Sequence, residues 1–125
     1  MDILLTDREA DIMQVLWERG PSVVAEVRER LSDELAYTTV LTILRTLEAK
    51  GYVKHQEEGR VHRYAAIAQR QAARKSALRH LTHKLFDGSA DLLLAHLVSE
   101  RRLSAQQLER LRGLLDAAPG KEKKL

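Results

Sequence analysis

The 125-residue chain predicts a mainly α fold, with a winged helix-turn-helix N-terminal domain followed by a helical dimerisation domain. Three observations predict it. Apolar residues recur at helical spacing in three short stretches before Gly51. Two short alternating stretches then follow, Tyr52-Val53-Lys54-His55-Gln56 and Arg60-Val61-His62-Arg63-Tyr64, which read as strands around the turn Glu57-Glu58-Gly59. Beyond Ala68 the pattern changes to leucine-dense helices.

The first helix opens on Thr6-Asp7-Arg8-Glu9, a capping box whose hydroxyl and carboxylate satisfy orphan amides. Ala10, Met13, Leu16 and Trp17 form its inner stripe, and Gly20-Pro21 ends it. Ser22 reads as the cap of a second helix with Val24, Val27 and Leu31 inward. Ser32-Asp33-Glu34 is turn-like. The third helix opens at Ala36-Tyr37-Thr38-Thr39-Val40, with Thr38 or Thr39 as its expected cap. It buries Val40, Ile43, Leu44 and Leu47 at i, i+3, i+4 and i+7, and Gly51 is its left-handed stop.

That stripe also fixes what faces outward: Tyr37, Thr38, Thr39, Thr42 and Arg45. Threonine and tyrosine cost helix propensity, and an ordinary solvated face favours Glu, Lys or Gln. Hydroxyls hydrogen-bond phosphates, Thr methyls touch thymine methyls, and Arg reaches a guanine edge. In the hairpin, Lys54, Arg60, His62 and Arg63 are expected to hold phosphates along the flank, with Val61 packed inward and Glu57-Glu58 at the tip. Tyr64 is expected to pack on the third helix. The partner this surface fits is double-stranded DNA.

After Ala68, a long helix over 70–86 carries Ala77, Leu78, Leu81 and Leu85 on one stripe and stops at Asp87-Gly88. Ser89 caps a nearly all-apolar helix with Leu92, Leu93, Leu94, Ala95, Leu97 and Val98, expected to be buried on several sides. Ser104-Ala105-Gln106-Gln107 is a second capping box, opening a helix with Leu108, Leu111, Leu114 and Leu115. The expected organisation is a DNA-binding domain at 1–68, a dimerisation domain at 69–118 and a polar tail at 119–125. So many leucines exceed what three such helices can bury alone, and a homodimer is the economical solution. The expected dimerisation residues are Leu78, Leu81, Leu85, Leu93, Leu94, Leu97, Leu108, Leu111 and Leu115.

Composition agrees. The formal charge of +3 conceals a division: residues 2–34 carry four Lys+Arg against nine Asp+Glu, residues 35–65 five against three, and residues 69–84 five against none. Positive charge thus begins at the reading helix, where cations displace phosphate counterions. The absence of cysteine excludes disulfides and thiolate metal sites. Met1-Asp2-Ile3-Leu4-Leu5 lacks the features of a signal peptide, and the run Leu92 to Ala95 is too short to span a bilayer, so a cytoplasmic protein without membrane insertion is expected. No glycine-rich phosphate loop, nucleophile elbow or His-Glu-x-x-His motif is present, and no enzyme activity or cofactor is expected. His80 and His83 have metal-capable spacing but no evident third ligand, and no metal site is assigned. A protein-interaction module without specific DNA binding is the second reading, motivated by Glu57-Glu58 and the acidic first two helices. A steep salt dependence of binding to a palindromic duplex separates the two.

Leu5-Thr6-Asp7-Arg8-Glu9 with Ile12-Met13 and Leu16-Trp17, then Ala36-Tyr37-Thr38-Thr39-Val40-Leu41-Thr42, Leu47-Glu48-Ala49-Lys50-Gly51-Tyr52-Val53 and Arg63-Tyr64, resemble the BlaI/MecI family of penicillinase (methicillin-resistance) repressors. The likeness extends to Leu103-Ser104 and Leu108-Glu109-Arg110-Leu111. It implies a homodimeric winged-helix repressor on a palindromic operator, controlling β-lactam-response genes. It also implies relief through a membrane sensor-protease pathway that cuts the dimerisation domain near His96-Leu97. The family's cleavage point is an Asn-Phe pair, from which His96-Leu97 departs. Copper-responsive relatives carry C-terminal Cys-x-Cys motifs, which this chain lacks.

Overall fold

The computed structural model describes residues 2–100 and 103–117. Its elements run α1 (Asp7–Arg19), β1 (Ser22–Val23), α2 (Val24–Arg30), α3 (Tyr37–Ala49), β2 (Val53–Glu58), β3 (Val61–Ala66), α4 (Arg70–Leu85), α5 (Ala90–Ser99) and α6 (Ala105–Ala117). Two compact units result, Met1–His80 and Leu81–Leu125. The first continues past Ala68 because the start of α4 packs on it. Ala73 and Ser76 are buried, and Ser76 Oγ accepts the Ile3 amide at 3.0 Å. The polar tail expected at 119–125 lies outside the described residues.

In the first unit the capping box forms as expected: Glu9 N donates to Thr6 Oγ1 and Thr6 N donates to Glu9 Oε1. Ile12, Met13, Val15 and Leu16 of α1 meet Val24 and Val27 of α2 and Val40, Leu44 and Leu47 of α3 in one core. The third helix ends in a Schellman motif. Gly51, at φ 84°, donates to Glu48 O, and Tyr52 N reaches back to Leu47 O. Glu9 also anchors this end of α3, because Lys50 reaches both its carboxylate oxygens, at 2.9 and 2.8 Å. Burial pushes the Glu9 carboxyl up. Hydrogen bonds from Lys50 and Thr6 outweigh it and hold the group below the usual carboxylate range.

Four local expectations are corrected. Ser22 does not cap α2. It is wholly buried in β1, its backbone pairs with Tyr64, and its hydroxyl donates to Gly20 O. The α2 start is satisfied instead by Glu26, whose carboxylate accepts the Val23 amide at 3.0 Å. Neither Thr38 nor Thr39 caps α3; the capping position is Ala36, with no side-chain bond. The hairpin turn is not Glu57-Glu58-Gly59, because Glu58 pairs with Val61, leaving Gly59 and Arg60 as a two-residue turn with Gly59 at φ 62°. In that register Val61 lies on the outer face and is 43% exposed rather than packed inward.

The sheet has the order β1-β3-β2, wholly antiparallel. Val53, Tyr64 and Ser22 share its inner face and are buried. On the outer face the Arg63 guanidinium bonds Glu58 of β2, Glu26 of α2 and the Pro21 carbonyl, while Arg19 of α1 grips the other oxygen of Glu26. Arg19, Glu26, Arg63 and Glu58 thus form a chain of ion pairs joining α1, α2 and the hairpin.

In the second unit, Ser89 caps α5 through the Leu92 amide, and Ser104 and Gln107 exchange the two bonds of a capping box at α6. Asp87 and Gly88 take positive φ after α4, as their sequence position predicts. Neither α5 nor α6 has a buried side chain, so the expectation that α5 is buried on several sides fails within a single copy. No helix among the described residues is long and apolar enough to cross a membrane.

The ion-pair chain sets a pH dependence. The Arg19 hydrogen bond first, and the Val23 amide next, hold the Glu26 carboxyl down to about 2 from its ordinary 4.5. A depressed folded pKa adds stability that is present above the unfolded value and lost as pH falls through the folded one. Urea midpoints are therefore expected to decline as pH drops from 4.5 toward 2, and Glu26→Gln is expected to flatten that decline. An unchanged slope in the variant would remove Glu26 from the network.

Candidate nucleic-acid interface

Helix α3 presents two chemically distinct faces. Val40, Leu44 and Leu47 have no exposed surface, whereas Tyr37, Thr38, Thr39, Thr42 and Arg45 are all exposed. Ile43 is only half-buried. The first four outward residues lie within the first two turns, where a helix entering a groove contacts base edges. The Arg28 guanidinium closes the preceding turn by donating to the Leu35 carbonyl at 2.8 Å, which sets the start of α3 against α2.

The threonine hydroxyls are partly committed. Thr42 Oγ1 donates to the Thr38 carbonyl at 2.8 Å, and Thr46 Oγ1 donates to the Thr42 carbonyl at 3.0 Å. This back-bonding uses the hydroxyl proton and leaves the oxygen lone pairs and the methyl outward. In this arrangement Thr42 is an acceptor, suited to the exocyclic amino groups of adenine or cytosine, or to a thymine methyl; it is not a phosphate donor.

The register divides the four basic hairpin residues. Lys54 and Arg63 lie on the outer face of the sheet, His62 on the inner, helix-facing side, and Arg60 in the turn. Lys54 and Arg60 are exposed. Arg63 is half-buried, and its Nε and Nη1 are committed to Glu58, Glu26 and Pro21. Those bonds hold the wing to α2 and to the turn before it.

The inner side of the hairpin carries a constellation that sequence reasoning missed. The His55 and His62 rings stack with centroids 4.2 Å apart and planes 12° apart. His55 Nδ1 lies 2.7 Å from the Glu48 carboxylate of α3, and His62 Nε2 lies 3.7 Å from Glu57. Tyr64, buried beneath, has its phenol pushed up by burial and then by Glu48, with Arg45 working the other way. Tyr64 therefore packs beside α3, as expected. The signal available in sequence was the spacing His55-x-Glu57 and His62-x-Tyr64, which becomes one cluster only in the observed register. His80 and His83, by contrast, are exposed on α4.

The leucines assigned to dimerisation are open. Leu78, Leu81, Leu85, Leu94, Leu97, Leu108 and Leu115 are exposed, Leu85 to 72%, and Leu93 and Leu111 are half-buried. His96 and Leu97 are exposed on α5, with the His96 ring edge-on to Phe86.

The penicillinase repressor family profile matches residues 5–117. The transcriptional regulator BlaI of Mycobacterium tuberculosis is 36% identical over 115 residues, covering 89% of this chain and 82% of that protein. Among solved structures, the monomeric form of Bacillus licheniformis BlaI in complex with the blaP half-operator is 27% identical, covering 58% of this chain and 90% of that one, with a TM-score of 0.49. The chain of the hsRosR-S4 complex is 20% identical, covers 78% of this chain and 90% of its own, and gives a TM-score of 0.51.

Proposed function

The chain belongs to the penicillinase repressor family, whose members are DNA-binding transcriptional repressors rather than enzymes, and from that premise we propose that it acts as a homodimer on a palindromic operator. The observation that carries this reading is the outward face of α3, where hydroxyls and one guanidinium occupy positions that propensity alone would not give them. Tyr37, Thr38, Thr39, Thr42 and Arg45 enter the major groove. Lys54 and Arg60 hold phosphates, His62 borders them on the helix side, and Arg63 positions the wing.

The dimer reading rests on the second unit. Exposed leucines on α4, α5 and α6, together with two helices that bury no side chain, support a core completed by a partner. A second copy supplies one with matching chemistry, and two-fold symmetry then matches a palindrome with half-sites about 10 bp or its multiples apart. Cutting at His96-Leu97 would divide α5 and with it the dimer surface, which is how proteolysis through a membrane sensor-protease pathway would relieve repression of β-lactam-response genes.

Two measurements test this reading. In gel shifts on a duplex selected by the chain, Arg45→Ala is expected to weaken specific binding by roughly 1–3 kcal/mol and to relax the base preference at one position of each half-site. Arg60→Ala is expected to weaken all sequences alike. Unchanged binding by Arg45→Ala would show that α3 is not the reading helix. In light scattering at micromolar concentration, the chain is expected to have the mass of two copies and a variant truncated after His96 the mass of one. A monomeric full-length chain would refute the dimer.

A further inference from the structure

We propose that His55, Glu57 and His62 form a binding site for a divalent metal ion of the zinc class, on the helix-facing side of the hairpin. The strand register builds it. Glu57 pairs directly with His62, and His55, two residues before Glu57, lies diagonally across from His62 on the same face. One ligand atom from each of the three falls within 4.8 Å of the others. Metal–ligand bonds of about 2.0–2.2 Å place neighbouring ligands of a tetrahedral ion roughly 3.3 Å apart. The 3.7 Å between His62 Nε2 and Glu57 is already near that spacing.

The surroundings supply what such a site needs. Both Glu48 carboxylate oxygens lie 2.7 Å from His55 Nδ1. A carboxylate accepts from a ring N–H, so that contact occupies Nδ1 and leaves Nε2 as the nitrogen available to an ion, the arrangement a carboxylate gives behind a metal-bound imidazole. The stacked ring planes are nearly parallel and 4.2 Å apart between centroids, so an ion lying in both planes requires one ring to tilt. His62 is held by the stack and by its long contact to Glu57, with 36% of its side chain exposed. Two imidazoles and one carboxylate select zinc-class ions over calcium or magnesium, and a water completes four-coordination. Glu48 is a positioning residue. The bound ion would join β2 to β3 against the end of α3, and none of these observations depends on DNA binding.

The test uses the full chain, stripped of metal and free of DNA. Titration with Co2+ is expected to produce visible ligand-field bands that saturate at one ion per chain and are displaced by Zn2+. His62→Gln and His55→Gln are each expected to weaken binding roughly tenfold or more, and Glu48→Gln by about 10–100-fold. Far-ultraviolet circular dichroism checks that each variant stays folded, and a His80→Gln/His83→Gln double variant is expected to bind as the parent does. Absence of saturable bands would overturn the site. So would binding that survives in His62→Gln but disappears in the α4 double variant.

Discussion

Strand β3 is paired along both edges, with the two residues of β1 on one side and β2 on the other, and the functional surface depends on that double pairing. A hairpin attached to a helical core only through its ends can swing. Here Ser22 and Val23, in the connection between α1 and α2, fasten the far edge of β3. Tyr64 seals the inner face of the sheet, and Arg63 on the outer face ties Glu58 to Glu26. Exposed ion pairs are individually weak. Their value here is geometric, because every member of the Arg19–Glu26–Arg63–Glu58 chain comes from a different element. The wing is thereby held to α1 and α2.

Internal ion pairing also explains why a chain with an acidic N-terminal quarter suits a polyanion. Its acids are largely turned on its own cations: Asp33 and Asp11 on Arg8, Glu26 on Arg19 and Arg63, Glu9 on Lys50. Arg45, Lys54 and Arg60 have no carboxylate partner among the described residues, and they stand on α3 and the hairpin. Net charge understates this arrangement because it counts cations already neutralised inside the protein.

What was legible in the sequence followed from local chemistry. The α3 stripe, the Thr6 and Ser104 capping boxes and the Gly51 stop each depend on residues within about two turns of helix; each formed, with Ile43 of the stripe only half-buried. Non-local pairing was the limit. β1 has two residues and no periodicity, and it is a strand only because β3 lies beside it. A three-residue turn at 57–59 would pair Lys54 with His62; the observed turn at Gly59-Arg60 pairs Glu57 with His62. That change of parity moves His62 to the opposite face of the sheet. It explains at once why Val61 is outside, why Lys54 and His62 lie on opposite faces of the sheet, and why the His55–Glu57–His62 cluster was invisible. The first unit's extension to His80 was hidden for a related reason. A long basic helix offers no sign that Ala73 and Ser76 face the core, since its apolar stripe of leucines lies elsewhere.

On the proposed reading, α3 reads base edges from the major groove while the hairpin holds the backbone. Dimethyl sulfate protection on duplexes selected by this chain from a randomised pool tests it directly, because the reagent methylates guanine N7 in the major groove and adenine N3 in the minor. A reading helix in the major groove predicts two clusters of protected guanine N7 atoms, one or more helical turns apart at about 10 bp per turn. Protection confined to adenine N3, or no sequence enriched from the pool, would contradict it.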